Sequence, residues 1–240
     1  MRQITEESQA TPLATWILLI AALLEVAAMT HHPSVQTPDP LEAAREMVAL
    51  SFPAAMVHAL LITLMLLISY GCAVLASRRG LARPLIGIGS IFYGVGVLVM
   101  IGAALVSGFV LSDLARLLPH ATAADRPDLE SLFILCRVLN QTCANFGAMA
   151  MSVGIACWSL DLLGTSGIRR VVGAWGCVVG IVPVLALPLR WIHLDVHGMA
   201  QVVALHASWY VAVAFILGSP MRTPKSAPRY TGATHKPTRP

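Results

Sequence analysis

Residues 85–111 have the sequence LIGIGSIFYGVGVLVMIGAALVSGFVL, a run of 27 residues without one charged side chain. A helix of about 20 apolar residues crosses the hydrocarbon core of a bilayer, so this run is long enough to span a membrane. Comparable apolar runs recur along the 240 residues, at Leu13–Thr30, Phe52–Ala76, Leu85–Leu111, Leu132–Leu160, Val171–Leu189 and Gly198–Leu217. The sequence therefore predicts an all-α, polytopic integral membrane protein with six transmembrane helices in a lipid bilayer.

The composition also favours a membrane protein over a soluble one. Hydrophobic residues make up 57% of the chain and charged residues 12%, whereas soluble domains have roughly 45–50% and about 25%. The net charge of +4 comes from short connections and the C-terminal tail, which favours membrane orientation over nucleic-acid binding. All five cysteines lie in the apolar runs, which argues against a disulfide framework.

The basic residues between the runs predict the orientation, because cytoplasmic loops of membrane proteins are enriched in Lys and Arg. One set of connections holds eleven basic residues and the opposite set four. The larger set includes both chain ends, so the prediction is N-in and C-in, in the inner (cytoplasmic) membrane. We expect a cytoplasmic N-terminus at 1–12, a transmembrane domain at 13–217, and a disordered basic tail at 218–240 that contacts anionic lipid.

The two longest outer connections carry helix signals. In His31–Ser51, the sequence Asp39-Pro40-Leu41-Glu42 combines an acidic N-cap with proline at the first helical position, which predicts a short interfacial helix. The other connection, Ser112–Ser131, contains two prolines that are expected to break it. The first apolar run lacks a clean cleavage site, so it is expected to be an uncleaved helix rather than a signal peptide.

Histidines are concentrated on the predicted outer side. His193 and His197 are four residues apart, so on a helix they would lie on one face and could share a metal ion, with His31 and His32 as further ligands. Imidazole suits zinc, copper, nickel or iron, so the metal stays unnamed. The alternative is that polar outer loops contain histidine without any ligand.

A second histidine pair lies deeper. His58 in the second run and His206 in the sixth enter from the same side, which suggests axial ligation of haem b between facing helices. The alternative is that each imidazole forms hydrogen bonds between helices.

A third feature is ionic. Glu25 and Arg137 lie in apolar runs at similar predicted depth, and intramembrane charges normally pair or face a cavity. Arg137, Gln141 and Asn145 recur at every fourth position, with Asn140 beside them, and form a polar stripe. This stripe is either the wall of a polar cavity for a solute or a structural pair with amide hydrogen bonds.

Residues 168–176, IRRVVGAWG, place a basic pair before Trp-Gly at the entry to the fifth run. This segment, the six-run layout and the arginine in the fourth run resemble a broad group of uncharacterised six-helix bacterial membrane proteins. The resemblance implies a fold and no activity.

Three functions remain open at this point. The chain has no G-x4-GK[ST], G-x-S-x-G or H-E-x-x-H motif, so enzymatic activity is not expected. The leading hypothesis is an outward-facing histidine site that binds a transition metal or haem b. The rivals are a small-solute permease built around the Glu-Arg-amide cavity, and a structural or regulatory membrane partner without a ligand.

Overall fold

The computed structural model describes residues 2–33, 35, 37 and 39–219. These residues are all-helical, with 86% helix and no strand among them. The elements are α1 (Arg2–Thr30), α2 (Pro40–Arg79), α3 (Pro84–Leu105), a π-helical segment (Val106–Val110), α4 (Leu111–Leu117), a 3₁₀ turn (Leu118–His120), α5 (Arg126–Leu163), α6 (Ile168–Ala186) and α7 (Val196–Gly218). The predicted disordered tail lies outside the described residues from position 220 onward.

Six segments of the described chain are long and apolar enough to cross a membrane. They are Pro12–Thr30, Pro40–Arg79, Pro84–His120, Arg126–Leu163, Ile168–Ala186 and Val196–Gly218. Each overlaps one of the six predicted apolar runs. The predicted all-helical fold with six potential membrane spans is therefore confirmed, and it is compatible with a multi-pass membrane protein.

The six segments form a closed ring in the order α1, α2, α3, α5, α6 and α7, with α7 packed against α1. Small residues bring neighbouring helices into backbone contact, as is common in membrane bundles. A Cβ added at Gly96 of α3 would lie 2.6 Å from the Met151 backbone nitrogen of α5, and one at Gly154 would lie 2.7 Å from the Tyr93 Cβ. Helices α3 and α5 thus pack at a distance that tolerates only glycine.

The two ends of the ring contain different residues. At one end, Asp161 of α5 forms ion pairs with Arg79 and, at 2.6 Å, with Arg83, and Arg78 donates to the Leu217 carbonyl at 3.1 Å. We call this the Asp161 end. The opposite end, where α1 stops and α7 begins, contains His58, and we call it the His58 end.

Three segments are much longer than a bilayer is thick. The α2, α3–α4 and α5 segments have 40, 37 and 38 residues, or about 55–60 Å at 1.5 Å per residue, against a hydrocarbon core of about 30 Å. Their extensions at the His58 end pack around a small apolar cluster of Ala43, Ala44, Leu111, Ala115, Leu118 and Phe133. Burial of these side chains explains why the helices continue beyond the apolar runs.

Two sequence predictions are corrected by these extensions. The separate interfacial helix expected in His31–Ser51 does not exist, although its start is right: Glu42 N donates to Asp39 Oδ1 at 2.8 Å, and the helix begins at Pro40. That helix continues through Pro53 as α2. The connection expected at Ser112–Ser131 is mostly helical as well, because α4 and the 3₁₀ turn reach His120 and α5 begins at Arg126.

A candidate ligand cavity at the His58 end

A cavity of about 730 Å³ lies inside the ring and is lined by α1, α2, α3, α5 and α7. This volume falls within the range of small-molecule sites, which is roughly 300–1,000 Å³. Its exposed lining residues are Arg137, Gln141, Asp195 and His197, all at the His58 end. Its deepest residues are buried and include Tyr210. The cavity therefore opens at the His58 end and closes inside the bundle.

The cavity joins residues that the sequence assigned to different sites. From the two histidine hypotheses it contains His32, His58, His197 and His206, and from the polar-stripe hypothesis it contains Glu25, Arg137, Asn140 and Gln141. His31, His193 and Asn145 do not line it. Metal, haem and polar-cavity candidates are thus largely parts of one site.

His32 and His58 face each other in the part of the cavity nearer the His58 end. Their Nε2 atoms are 3.3 Å apart, and the rings meet edge to face with centroids 4.7 Å apart. His58 Nδ1 lies 2.7 Å from the Ala54 carbonyl. A carbonyl can only accept, so His58 Nδ1 carries the hydrogen and its Nε2 presents a lone pair to His32.

Burial and the neighbouring His58 ring lower the pKa of His32 from 6.5 to about 4. The His32 imidazole is thus neutral at physiological pH.

A π-helical segment supports His58 from the facing helix. A Cβ added at Gly108, in the middle of Val106–Val110, would lie 2.6 Å from the His58 Cβ and 2.7 Å from its Cγ. Only glycine allows this approach. π-Helical turns inside α-helices occur frequently at functional sites. The backbone of this π-helical segment thus fixes the position of one member of the histidine pair.

The predicted metal set does not assemble as the sequence suggested. Asp195 caps α7 by accepting from Gly198 N at 2.8 Å, so the helix begins after His193, and the expected helical pair with His197 is not formed. His31 is exposed and hydrogen-bonds to the Ala27 carbonyl at 2.9 Å. Among the described residues, no group of three or more His, Cys, Asp or Glu side chains could hold a metal ion.

The predicted haem pair lies at two different depths. Arg78 of α2 and Leu217 of α7 are joined by a hydrogen bond at the Asp161 end. His58 lies 20 residues from Arg78 along α2, or about 30 Å from that end. His206 lies 11 residues from Leu217 along α7, or about 17 Å from the same end. His206 Nε2 also lies 2.8 Å from Ser152 Oγ. One haem needs its axial ligands at matched depth, so the geometry does not bring these two histidines together as a bis-histidine site.

The structure places Glu25 and Arg137, predicted to be ion-pair partners, at different depths. Thr15 lies beside Gly218 at the Asp161 end, so Glu25, ten residues on, is about 15 Å from that end. Arg137 is 24 residues before Asp161, which is about 36 Å. The outward extension of α5 places Arg137 at the cavity mouth, whereas Glu25 is buried near the cavity floor. Asn145, last in the stripe, instead donates to the Gln141 carbonyl at 2.9 Å.

Sequence reasoning missed several lining residues. Met29, Met47, Met65, Met100, Met151 and Met199 all contribute to the wall, as does Tyr210, whose hydroxyl accepts from that of Tyr93 at 3.0 Å. Methionines lie in most of the apolar runs and carry no periodic signal, so the sequence alone gives no reason to select these six.

Comparison with known proteins adds no relative to this description. No protein family, no curated protein and no solved structure matches the chain.

Proposed function

We propose that this chain is a multi-pass protein of the cytoplasmic membrane that binds a transition metal ion in the cavity, through His32 and His58. In this proposal the His58 end faces outward, as the distribution of basic residues predicts. The observation that carries the proposal is the 3.3 Å separation of the two Nε2 atoms inside the cavity. A membrane protein with such a site receives its ion from the outer side.

The distance between the two Nε2 atoms matches the distance between two nitrogen ligands of one metal ion. Two nitrogens held about 2.0–2.1 Å from a tetrahedral Zn²⁺ are about 3.3 Å apart. The hydrogen bond from His58 Nδ1 to the Ala54 carbonyl is the kind of outer contact that orients metal-ligating histidines. The protein thus supplies two nitrogen ligands. Water or a ligand from the cavity supplies the other positions, as in open metal sites.

A titration of the purified protein with Zn²⁺ and Co²⁺ in lipid nanodiscs tests this function. We expect one ion per chain, and loss of binding in the His32→Ala/His58→Ala double variant. The matched control is His31→Ala/His193→Ala, which removes two exposed histidines near the same end and should bind as the wild type does. Equal binding by both double variants would contradict the proposal, as would no binding by the wild type.

A small-solute permease is the second candidate, because the cavity continues past the histidine pair. Glu25 and His206 line it at about 15–17 Å from the Asp161 end, near the middle of a bilayer core of about 30 Å. Intramembrane ionisable groups that face cavities mark solute or ion pathways.

Thiol accessibility tests the permease. In a cysteine-free background, Ala148→Cys on the cavity wall should react with a charged, membrane-impermeant thiol reagent added at the His58 side. Gly102→Cys, which lies off the wall, should not. Failure of Ala148→Cys to react from that side would count against a solute pathway.

A further inference from the structure

The structure contains two buried carboxylates with opposite surroundings. Asp161 is 5% exposed and Glu25 is 7% exposed. Asp161 forms ion pairs with Arg79 and Arg83. Among the described residues, none forms an ion pair or a hydrogen bond with the Glu25 carboxylate. The two carboxylates are therefore similar in burial, but only Asp161 has a neighbouring positive charge.

Among the described residues, the surroundings of Glu25 hold titratable groups but no positive charge. Tyr93 of α3, Tyr210 of α7 and Cys72 of α2 interact with Glu25 electrostatically, and His206 of α7 lines the same cavity at about the same depth.

Cations are remote from this carboxylate. The only arginine that lines the cavity, among the described residues, is Arg137, and it lies about 20 Å farther toward the His58 end. His206 is engaged with Ser152 at 2.8 Å. No described residue near Glu25 therefore compensates an ionised carboxylate.

An isolated charge in an apolar interior is so costly that the group normally neutralises instead. An ionisable group inside a membrane bundle normally faces a cavity and takes part in ion movement. Glu25 meets the geometric conditions for that role, because it is buried, it lines the cavity and the cavity leads to one end of the bundle.

We propose that Glu25 is a proton-binding site at the floor of the cavity, filled when the cavity is empty and exchanged through the opening at the His58 end. On release, the proton passes from the carboxylic acid to water in the cavity, and the carboxylate left behind attracts a cation. The site requires no metal at His32 and His58. The proposal therefore goes beyond the metal-binding function and does not depend on it.

Dicyclohexylcarbodiimide tests the proposal, because this apolar reagent modifies carboxyl groups that are protonated. The full-length wild-type protein in nanodiscs is treated at a series of pH values, and the modified residues are identified by peptide mass spectrometry. We expect Glu25 to be modified at neutral pH, with modification decreasing as the pH rises. Asp161, equally buried but paired with two arginines, should stay unmodified over the same range.

Two outcomes would overturn the proposal. One is an unmodified Glu25 at neutral pH. The other is equal modification of Glu25 and Asp161, which would show that burial and not protonation governs the reaction.

The Glu25→Gln variant adds a second readout. An amide has nearly the shape of a protonated carboxyl, so this variant should keep the melting temperature of the wild type and lose the modification. A clear fall in melting temperature would show that the folded protein needs an ionised Glu25, and the proposal would fail. Zn²⁺ titration of the same variant should be unchanged, which separates this test from the one for the histidine pair.

Discussion

Substitution of Gly108 by alanine tests whether the π-helical segment positions His58 for metal binding. The new Cβ would lie 2.6 Å from the His58 Cβ, whereas non-bonded carbons need about 3.5–4.0 Å. His58 must therefore move by about 1 Å. A shift of that size can change the Nε2 separation of 3.3 Å by up to about 1 Å. Two nitrogens bound to one tetrahedral Zn²⁺ are about 3.3 Å apart, so the displaced pair fits one ion less well.

We expect Gly108→Ala to weaken Zn²⁺ binding by about 10–100-fold, the usual cost of disturbing the support of a metal ligand. Overpacking should also lower stability by about 1–3 kcal/mol. Isothermal titration with Zn²⁺ and thermal melting in the same nanodiscs measure the two effects. Gly102→Ala is the matched control, because a Cβ at Gly102 meets nothing within 4 Å. If Gly108→Ala binds Zn²⁺ as tightly as Gly102→Ala does, the argument about His58 is refuted.

Three further predictions concern charge. Asp161→Asn leaves two arginines without their buried partner and should cost about 3–5 kcal/mol of stability. The control Asp113→Asn removes an exposed ion pair and should cost less than about 1 kcal/mol. Similar denaturation curves for the two variants would contradict this prediction. The pKa of His32 is about 4 in the folded protein, against 6.5 for an exposed histidine, so the stability of the protein should fall as the pH drops from 6.5 toward 4. A His32→Asn variant that keeps the full pH dependence would argue against the burial of His32. Glu25→Gln and Arg137→Gln should have additive effects on melting, since about 20 Å separates the side chains; a coupling above about 0.5 kcal/mol would show that they interact.

Hydropathy and helix-start signals were sufficient for the architecture. The charge-free run around residues 85–111 and its counterparts predicted six long helices, and Asp39-Pro40 marked the first residue of α2. Asp195 carries the same kind of N-cap signal, and this signal places His193 before the helix.

The depth of the polar side chains in the bundle, and the contacts between them, could not be predicted in the same way. Apolar runs give the approximate limits of each span but not how far a helix continues beyond it. The extension of α5 to Arg126 therefore moved Arg137 away from Glu25. The contact between His32 and His58 depends on how α1 crosses α2, and on the room left by Gly108 in a π-helical segment that has no sequence signature. The sequence predicted that the histidines lie on the same side of the membrane. It did not predict that the Nε2 atoms of His32 and His58 are 3.3 Å apart.

Zinc K-edge X-ray absorption of the Zn²⁺-loaded protein tests the metal site most directly, because it reports the ligands around the ion. The wild type should show two imidazole nitrogens at about 2.0–2.1 Å, reduced to one in His58→Ala and unchanged in the control His31→Ala. A zinc shell without histidine, or one that His58→Ala leaves intact, would contradict the assignment of His32 and His58 as the metal ligands.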